Sequence, residues 1–257
     1  MDREIAGIRI HYALEGQGPK RVLLLHGWGC SAELMKPVAD ALSPDMTVLR
    51  VDFPGFGQSG RPPEPWGVPE YAASLLKLLE ALDFLPCAVI AHSFGARVTL
   101  LLAAEDPARF EKLIITGGAG LRAPQTEAGK KRSGAFRRGR KLAEGLGRLP
   151  GMAPLADRAM ERLRKRYGSA DYNALDEEMR KTFVRVVNQD LADCLPKIQQ
   201  PTLLLWGESD TETPLWMGQK MEREIPGAAL VVLPGTHFMY LEQSARFNAI
   251  VRSFLLS

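Results

Sequence analysis

The chain opens on an alternating pattern. Ile8, Ile10, Tyr12 and Leu14 share one parity, with polar residues between them. That period predicts half-buried antiparallel strands, ending at the turn signal Glu15-Gly16-Gln17-Gly18-Pro19. The pattern then changes to continuous apolar runs: Val22–Leu25, Thr47–Val51, Cys87–Ala91, Leu113–Ile115, Leu203–Trp206 and Leu230–Leu233. A largely apolar run suits a strand buried on both faces of a parallel sheet. Helical spacing fills the gaps, in Leu75, Leu76, Leu78, Leu79 and Leu82, in Phe94–Glu105, in Met217–Glu224 and in Tyr240–Leu256. Strand and helix in alternation predict an α/β fold, a mostly parallel sheet with antiparallel N-terminal strands and helices on both faces.

One interval breaks this rhythm. From Leu121 to Leu195 there is no strand-like run, only helical patterns such as Met160–Tyr167. The sheet rhythm resumes afterwards. The expected organisation is therefore a core of residues 1–120 and 196–257 with a mostly helical insertion, 121–195, over one edge of the sheet. A total of 257 residues suits one large α/β domain. The insertion also differs in charge. Leu121 to Asp190 holds 17 Lys/Arg against 9 Asp/Glu, whereas the whole chain is only +3. The surplus gathers at Lys130, Lys131, Arg132, Arg137, Arg138, Arg140 and Lys141, and again at Arg162, Arg164, Lys165 and Arg166. A solvated helix face accounts for such charge, and so does recognition of an anionic substrate or carrier.

Composition removes several function classes. No apolar run approaches the ~18 residues of a membrane span. The first residues lack the apolar core of a secretory leader, so a cytoplasmic protein with no membrane partner is expected. Cys30, Cys87 and Cys194 are odd in number and widely spaced, as reduced thiols are. His11, His26, His92 and His237 form no ligand cluster, so neither a metal nor another cofactor is expected. The basic segment has no nucleic-acid-reading motif beside it, which argues against nucleic acid as a partner.

The candidate chemistry lies at the ends of the apolar runs. Ala91-His92-Ser93-Phe94-Gly95 joins a strand directly to a helix. A serine at such an apex is pushed out above the sheet, and small residues on either side let strand and helix approach. Alone, the near-match to G-x-S-x-G is weak, because serine is also a common helix N-cap. Three loops add to it. His26-Gly27-Trp28-Gly29 follows the first buried strand and is able to aim a backbone N–H at the serine. Trp206-Gly207-Glu208-Ser209-Asp210, with Pro214 close behind, follows the fifth, offering Asp210, Glu208 or Glu212 as the acid that orients an imidazole. Pro234-Gly235-Thr236-His237-Phe238 follows the sixth. A lone histidine is more often structural, but serine, acid and histidine in this order, each after its own strand, form a constellation.

Together with Asp52-Phe53-Pro54-Gly55-Phe56-Gly57-Gln58-Ser59, these motifs resemble the α/β-hydrolase superfamily over essentially the whole chain. The resemblance implies an α/β-hydrolase fold and a triad of Ser93, Asp210 and His237. It further implies an oxyanion hole from the Trp28 and Phe94 amides and a cap domain formed by the helical insertion. Ser93 at the elbow departs from members that use aspartate there, such as haloalkane dehalogenases and epoxide hydrolases. The His26–Gly29 and Pro54–Gly57 motifs are also similar to pimeloyl-carrier-protein methyl esterases, which read an acidic carrier through basic cap residues.

The activity expected is hydrolysis of a small carboxylic ester, one that is anionic or carrier-bound if the basic insertion takes part. Related scaffolds serve acyltransferases, thioesterases and C–C hydrolases, and a slow-turnover ligand-binding receptor is the rival outside enzymology. A dinucleotide-binding reading of Gly27-x-Gly29-x-x-Ala32 with Asp52 is less economical. It leaves Ser93, Asp210 and His237 without a role.

Overall fold

The apolar runs become strands of a single sheet, and most of them lie in its interior with both faces covered. The computed structural model describes residues 1–122, 127–167 and 170–257, with the side chains of 127–133, 170 and 171 outside that description. Its strands are β1 (Asp2–Ile5), β2 (Ile8–Glu15), β3 (Lys20–Leu25), β4 (Met46–Val51), β5 (Cys87–His92), β6 (Phe110–Thr116), β7 (Thr202–Gly207) and β8 (Ala229–Leu233). They lie in the order β1-β2-β4-β3-β5-β6-β7-β8. The β1–β2 and β2–β4 pairs are antiparallel, and every pair from β4 onward is parallel. The chain leaves β3 towards β4 and returns to β5 on the other side. The carboxyl ends of β3 and β5 thus flank the crevice where ligands gather in sheets of this kind.

Helices seal both faces. Val22, Leu23, Leu24 and Leu25 of β3 are all inaccessible to solvent, each burial stabilising the fold by about 2 kcal/mol. One face packs on α1 (Lys36–Leu42) and α10 (Ser244–Leu256) through Val38, Leu42, Phe247, Val251 and Leu255. Helices α2 (Val68–Ala81) and α3 (Phe94–Glu105) contribute Tyr71, Leu75, Leu78 and Leu79, and Phe94, Val98 and Leu102. Ile8, Ile10 and Tyr12 are buried as their parity predicts, whereas Leu14 is exposed near the end of β2.

Three elements differ from the pattern reading. Strand β8 is not buried on both faces: only Leu233 is, because β8 is the sheet edge and no strand lies beyond it. Helix α1 carries too few apolar residues to announce a period, and its Pro37 is tolerated in the first turn. The expected C-terminal helix is two, α9 (Met239–Glu242) and α10, separated at Gln243, whose φ of −116° leaves the helical range.

The chain divides into two units, Met1–Leu121 with Val184–Ser257, and Arg122–Phe183. Helices α4 (Glu127–Gly147), α5 (Ala153–Tyr167) and α6 (Ala170–Ala174) belong to the smaller unit, and α7 (Glu177–Asn188) crosses the second junction. That junction comes earlier than the Leu195 boundary expected from the sequence, since the end of α7 is tied to the sheet unit. Arg97 of α3 donates to the Val186 and Gln189 carbonyls at 3.1 and 2.9 Å. Within the smaller unit α4 and α5 pack closely where glycine permits it: a Cβ on Gly139 would stand 2.8 Å from the Leu163 side chain. Arg137, Arg138, Arg140, Lys141, Arg162, Lys165 and Arg166 are exposed, while Lys130, Lys131 and Arg132 have side chains outside the described residues. Among the described residues no helix is long and apolar enough to cross a membrane.

Candidate active site

The turn between β5 and α3 forces Ser93 into φ +50°, ψ −108°, a conformation non-glycine residues rarely adopt. Such strain persists only where neighbours impose it. Here the Ser93 N–H donates to the Thr116 carbonyl at 3.2 Å, and its own carbonyl accepts from Ala96 and Ala119, both at 3.1 Å. Gly95 lets α3 run against β3, since a Cβ there would lie 2.8 Å from the Leu25 carbonyl oxygen. Ala91, where the motif usually has glycine, is fully buried and small enough to serve.

The loop after β3 passes beside this turn. A Cβ on Gly27 would stand 3.2 Å from the Ser93 Cβ. The ring of Trp28 meets those of Phe56 and Phe94 edge-on at 4.8 and 5.3 Å. Phe94 is the first residue of α3, so its N–H has no acceptor within the helix and sits at the positive end of its dipole. His26 locks the loop: its Nδ1–H donates to the Gly27 carbonyl at 2.7 Å and its Nε2 accepts the Phe53 N–H at 3.1 Å. Complete burial pushes this imidazole down to about 4, despite the Gly27 hydrogen bond and the Asp52 charge, so the ring is neutral. Asp52 is a brace too, its carboxylate accepting the Ala32 and Gln58 N–H groups at 2.6 and 2.8 Å.

Asp210 lies in the loop after β7, its side chain without solvent exposure. Oδ1 accepts the Glu212 and Thr213 N–H groups at 3.0 and 2.9 Å. Oδ2 accepts His237 Nδ1–H at 2.9 Å and the Thr213 hydroxyl at 2.9 Å. Burial acts to raise the carboxyl, but the hydrogen bonds from His237 and Thr213 outweigh it and hold it below the usual carboxylate range. Glu208 and Glu212, the other acids the sequence offered, are exposed, and the carboxylate meeting the imidazole is that of Asp210.

His237 stands in the loop after β8, its side chain 11% exposed. The Glu242 carboxylate, itself held low by the Thr236 hydroxyl, accepts the Thr236 N–H at 2.7 Å and pins the loop. With Nδ1–H given to Asp210, Nε2 is the nitrogen left as a base. Among the described residues no hydrogen bond joins Ser93 to His237. His92, the residue preceding Ser93, has its ring centroid 4.6 Å from that of His237.

Two neighbours of the imidazole are not expected from the sequence to meet it, His92 standing there only as part of the serine motif and Thr213 not at all. His92 donates from Nδ1 to the Thr116 carbonyl at 3.1 Å, and burial, with His237 beside it, drives it down to about 3. It is therefore an uncharged platform for His237. Thr213 gathers three partners from three loops and stands in the sequence as an ordinary turn residue.

The proteins this chain is similar to carry names of varied chemistry. A profile described as the alpha/beta hydrolase family matches residues 22–250. A pimeloyl-[acyl-carrier protein] methyl ester esterase of Neisseria meningitidis serogroup C is 29% identical over 255 residues, covering 92% of this chain and 93% of that protein. A 2-hydroxy-6-oxononadienedioate/2-hydroxy-6-oxononatrienedioate hydrolase of Cupriavidus pinatubonensis is 29% identical over 266 residues, covering 96% and 90%. Among solved structures, a hydrolase from Pseudomonas aeruginosa superposes with a TM-score of 0.76 at 26% identity, covering 100% of this chain and 98% of that one. With most of its length matched, and with the sheet order and loop positions described above, this chain is a member of the alpha/beta hydrolase family.

Proposed function

We propose that the protein is a serine hydrolase that cleaves a carboxylic ester through an acyl-enzyme. The observation carrying this reading is the 2.9 Å pair between Asp210 Oδ2 and His237 Nδ1, whose ring lies against His92, the residue preceding a serine held at positive φ. Ser93 Oγ attacks the ester carbonyl as His237 Nε2 takes its proton, and the Asp210 carboxylate stabilises the imidazolium. The Trp28 and Phe94 N–H groups serve the oxyanion of the tetrahedral intermediate. His237 returns the proton to the leaving alcohol, and water then releases the acid by the same steps.

An anionic or carrier-bound ester is the substrate class we favour. The Neisseria relative is named for an acyl-carrier methyl ester, and exposed arginines and lysines lie along α4 and α5. Such charge raises the encounter rate with an acidic partner. C–C bond hydrolysis is a second reading, favoured by the equally similar Cupriavidus hydrolase.

The test is hydrolysis of p-nitrophenyl esters from acetate to decanoate by the wild type and by Ser93→Ala. Turnover is expected in the wild type and its loss in the variant. Ester turnover that survives Ser93→Ala would sink the assignment. A folded wild type inert to the series, but acylated in a single burst, would favour the ligand-binding rival.

A further inference from the structure

Thr213 Oγ1 stands where three loops meet. It is 2.9 Å from Asp210 Oδ2, 2.9 Å from the Gly117 carbonyl oxygen and 3.2 Å from His237 Nδ1. The residue is buried. A threonine hydroxyl has one proton and two lone pairs, so it donates to one of the two oxygens at a time. At equal distance the carboxylate is the stronger acceptor, because that hydrogen bond is charge-assisted. Thr213 thereby grips both oxygens of Asp210: its backbone N–H holds Oδ1 at 2.9 Å and its hydroxyl holds Oδ2. Oδ2 is also the oxygen that accepts the imidazole N–H.

We propose that Thr213 is a positioning residue, whose hydroxyl keeps Asp210 Oδ2 in line with His237 Nδ1–H and offers that N–H a second oxygen. The ring then keeps its tautomer and tilt while a proton is exchanged at Nε2. This rests on reading Ser93, Asp210 and His237 as an acyl-transfer triad. Two features support the role. Gly117 is at φ +51°, and a Cβ there would be 3.1 Å from Asp210 Oδ2 and 3.2 Å from His237 Nδ1, so the backbone closes on the pair and presents its carbonyl to the hydroxyl. The Thr213 main chain is anchored separately, its carbonyl accepting Trp206 Nε1–H at 2.7 Å. The loop's course therefore does not depend on the hydroxyl, and valine reproduces the side chain's shape without its proton.

The experiment compares the wild type, Thr213→Val and Thr213→Ser in the full chain. It measures kcat and KM on the best p-nitrophenyl ester, together with the proton NMR resonance of His237 Nδ1–H. Thr213→Val is expected to lower kcat by about tenfold, the worth of one hydrogen bond to a charged group, with KM unchanged and the resonance shifted. Thr213→Ser restores both. A Thr213→Val enzyme with wild-type kcat and resonance overturns the proposal, as does a Thr213→Ser enzyme no better than Thr213→Val. If Thr213→Val does not fold, Thr213→Ala removes the same hydroxyl and takes its place in the comparison. Failure of the triad reading looks different: the wild type then shows no Ser93-dependent turnover, while the resonance still reports on Thr213.

Discussion

At the residue scale, the buried histidines hold the loops together by staying neutral. His26 and His92 are pushed down to about 4 and about 3 by burial, whereas an unfolded chain leaves them near 6.5. Above pH ~6.5 both states are neutral and neither ring affects stability with pH. As pH falls through that value the unfolded chain binds protons that the folded chain refuses, so stability declines towards the folded values. His26 alone accounts for on the order of 3 kcal/mol by pH ~4. Asp210, held below its ordinary value, acts in the same direction, but its contribution is lost only below pH ~4. Thermal melts should therefore show a midpoint that drops from pH 6.5 to 4. A flat midpoint across that window would contradict the burial of both rings.

At the scale of elements, the elbow depends on how close α3 comes to β3. A methyl group on Gly95 meets the Leu25 Cβ and carbonyl oxygen, both at 2.8 Å. Backbone cannot yield as a flexible side chain does, so Gly95→Ala should destabilise by about 1–3 kcal/mol. Gly134, in α4, has nothing within 4 Å of the same added atom. There alanine should be stabilising by up to about 1 kcal/mol, through helix propensity. Urea midpoints for the two variants should move in opposite directions, and a Gly95→Ala midpoint equal to the wild type would refute the close approach. The loop after β3 is an element of the same kind, anchored by a histidine that answers a backbone N–H from the loop after β4. Its glycines and aromatic rings were legible in the sequence. Its brace, His26, stands in the sequence only as part of a motif, since its partner Phe53 is brought to it by folding.

At the scale of the whole molecule, charge and sheet are segregated. The sheet unit carries the candidate site, and the smaller unit carries exposed Arg137, Arg138 and Arg140 on α4. Reversing all three to glutamate should lower kcat/KM for a carboxylate- or phosphate-bearing ester and weaken its dependence on ionic strength. Hydrolysis of a neutral p-nitrophenyl ester should be unchanged. Equal kinetics on the anionic ester at low salt would return these side chains to the status of a solvated face.

Hydrophobic periodicity is local, so the sequence by itself determined the strands, their mostly parallel arrangement and the loops in which Ser93, Asp210 and His237 stand. A continuous apolar run bounded by turn signals suits a covered sheet, and a strand followed at once by a helix leaves few turns between them. What periodicity lacks is any record of which residues meet across distance. The family resemblance already points to Asp210 over Glu208 and Glu212; only the tertiary structure shows backbone N–H groups converging on that carboxylate. It alone exposed β8, by making it the last strand, and put the end of α7 with the sheet through Arg97. It alone set Thr213 and His92 against His237, through hydrogen bonds and ring contacts between segments far apart in the chain.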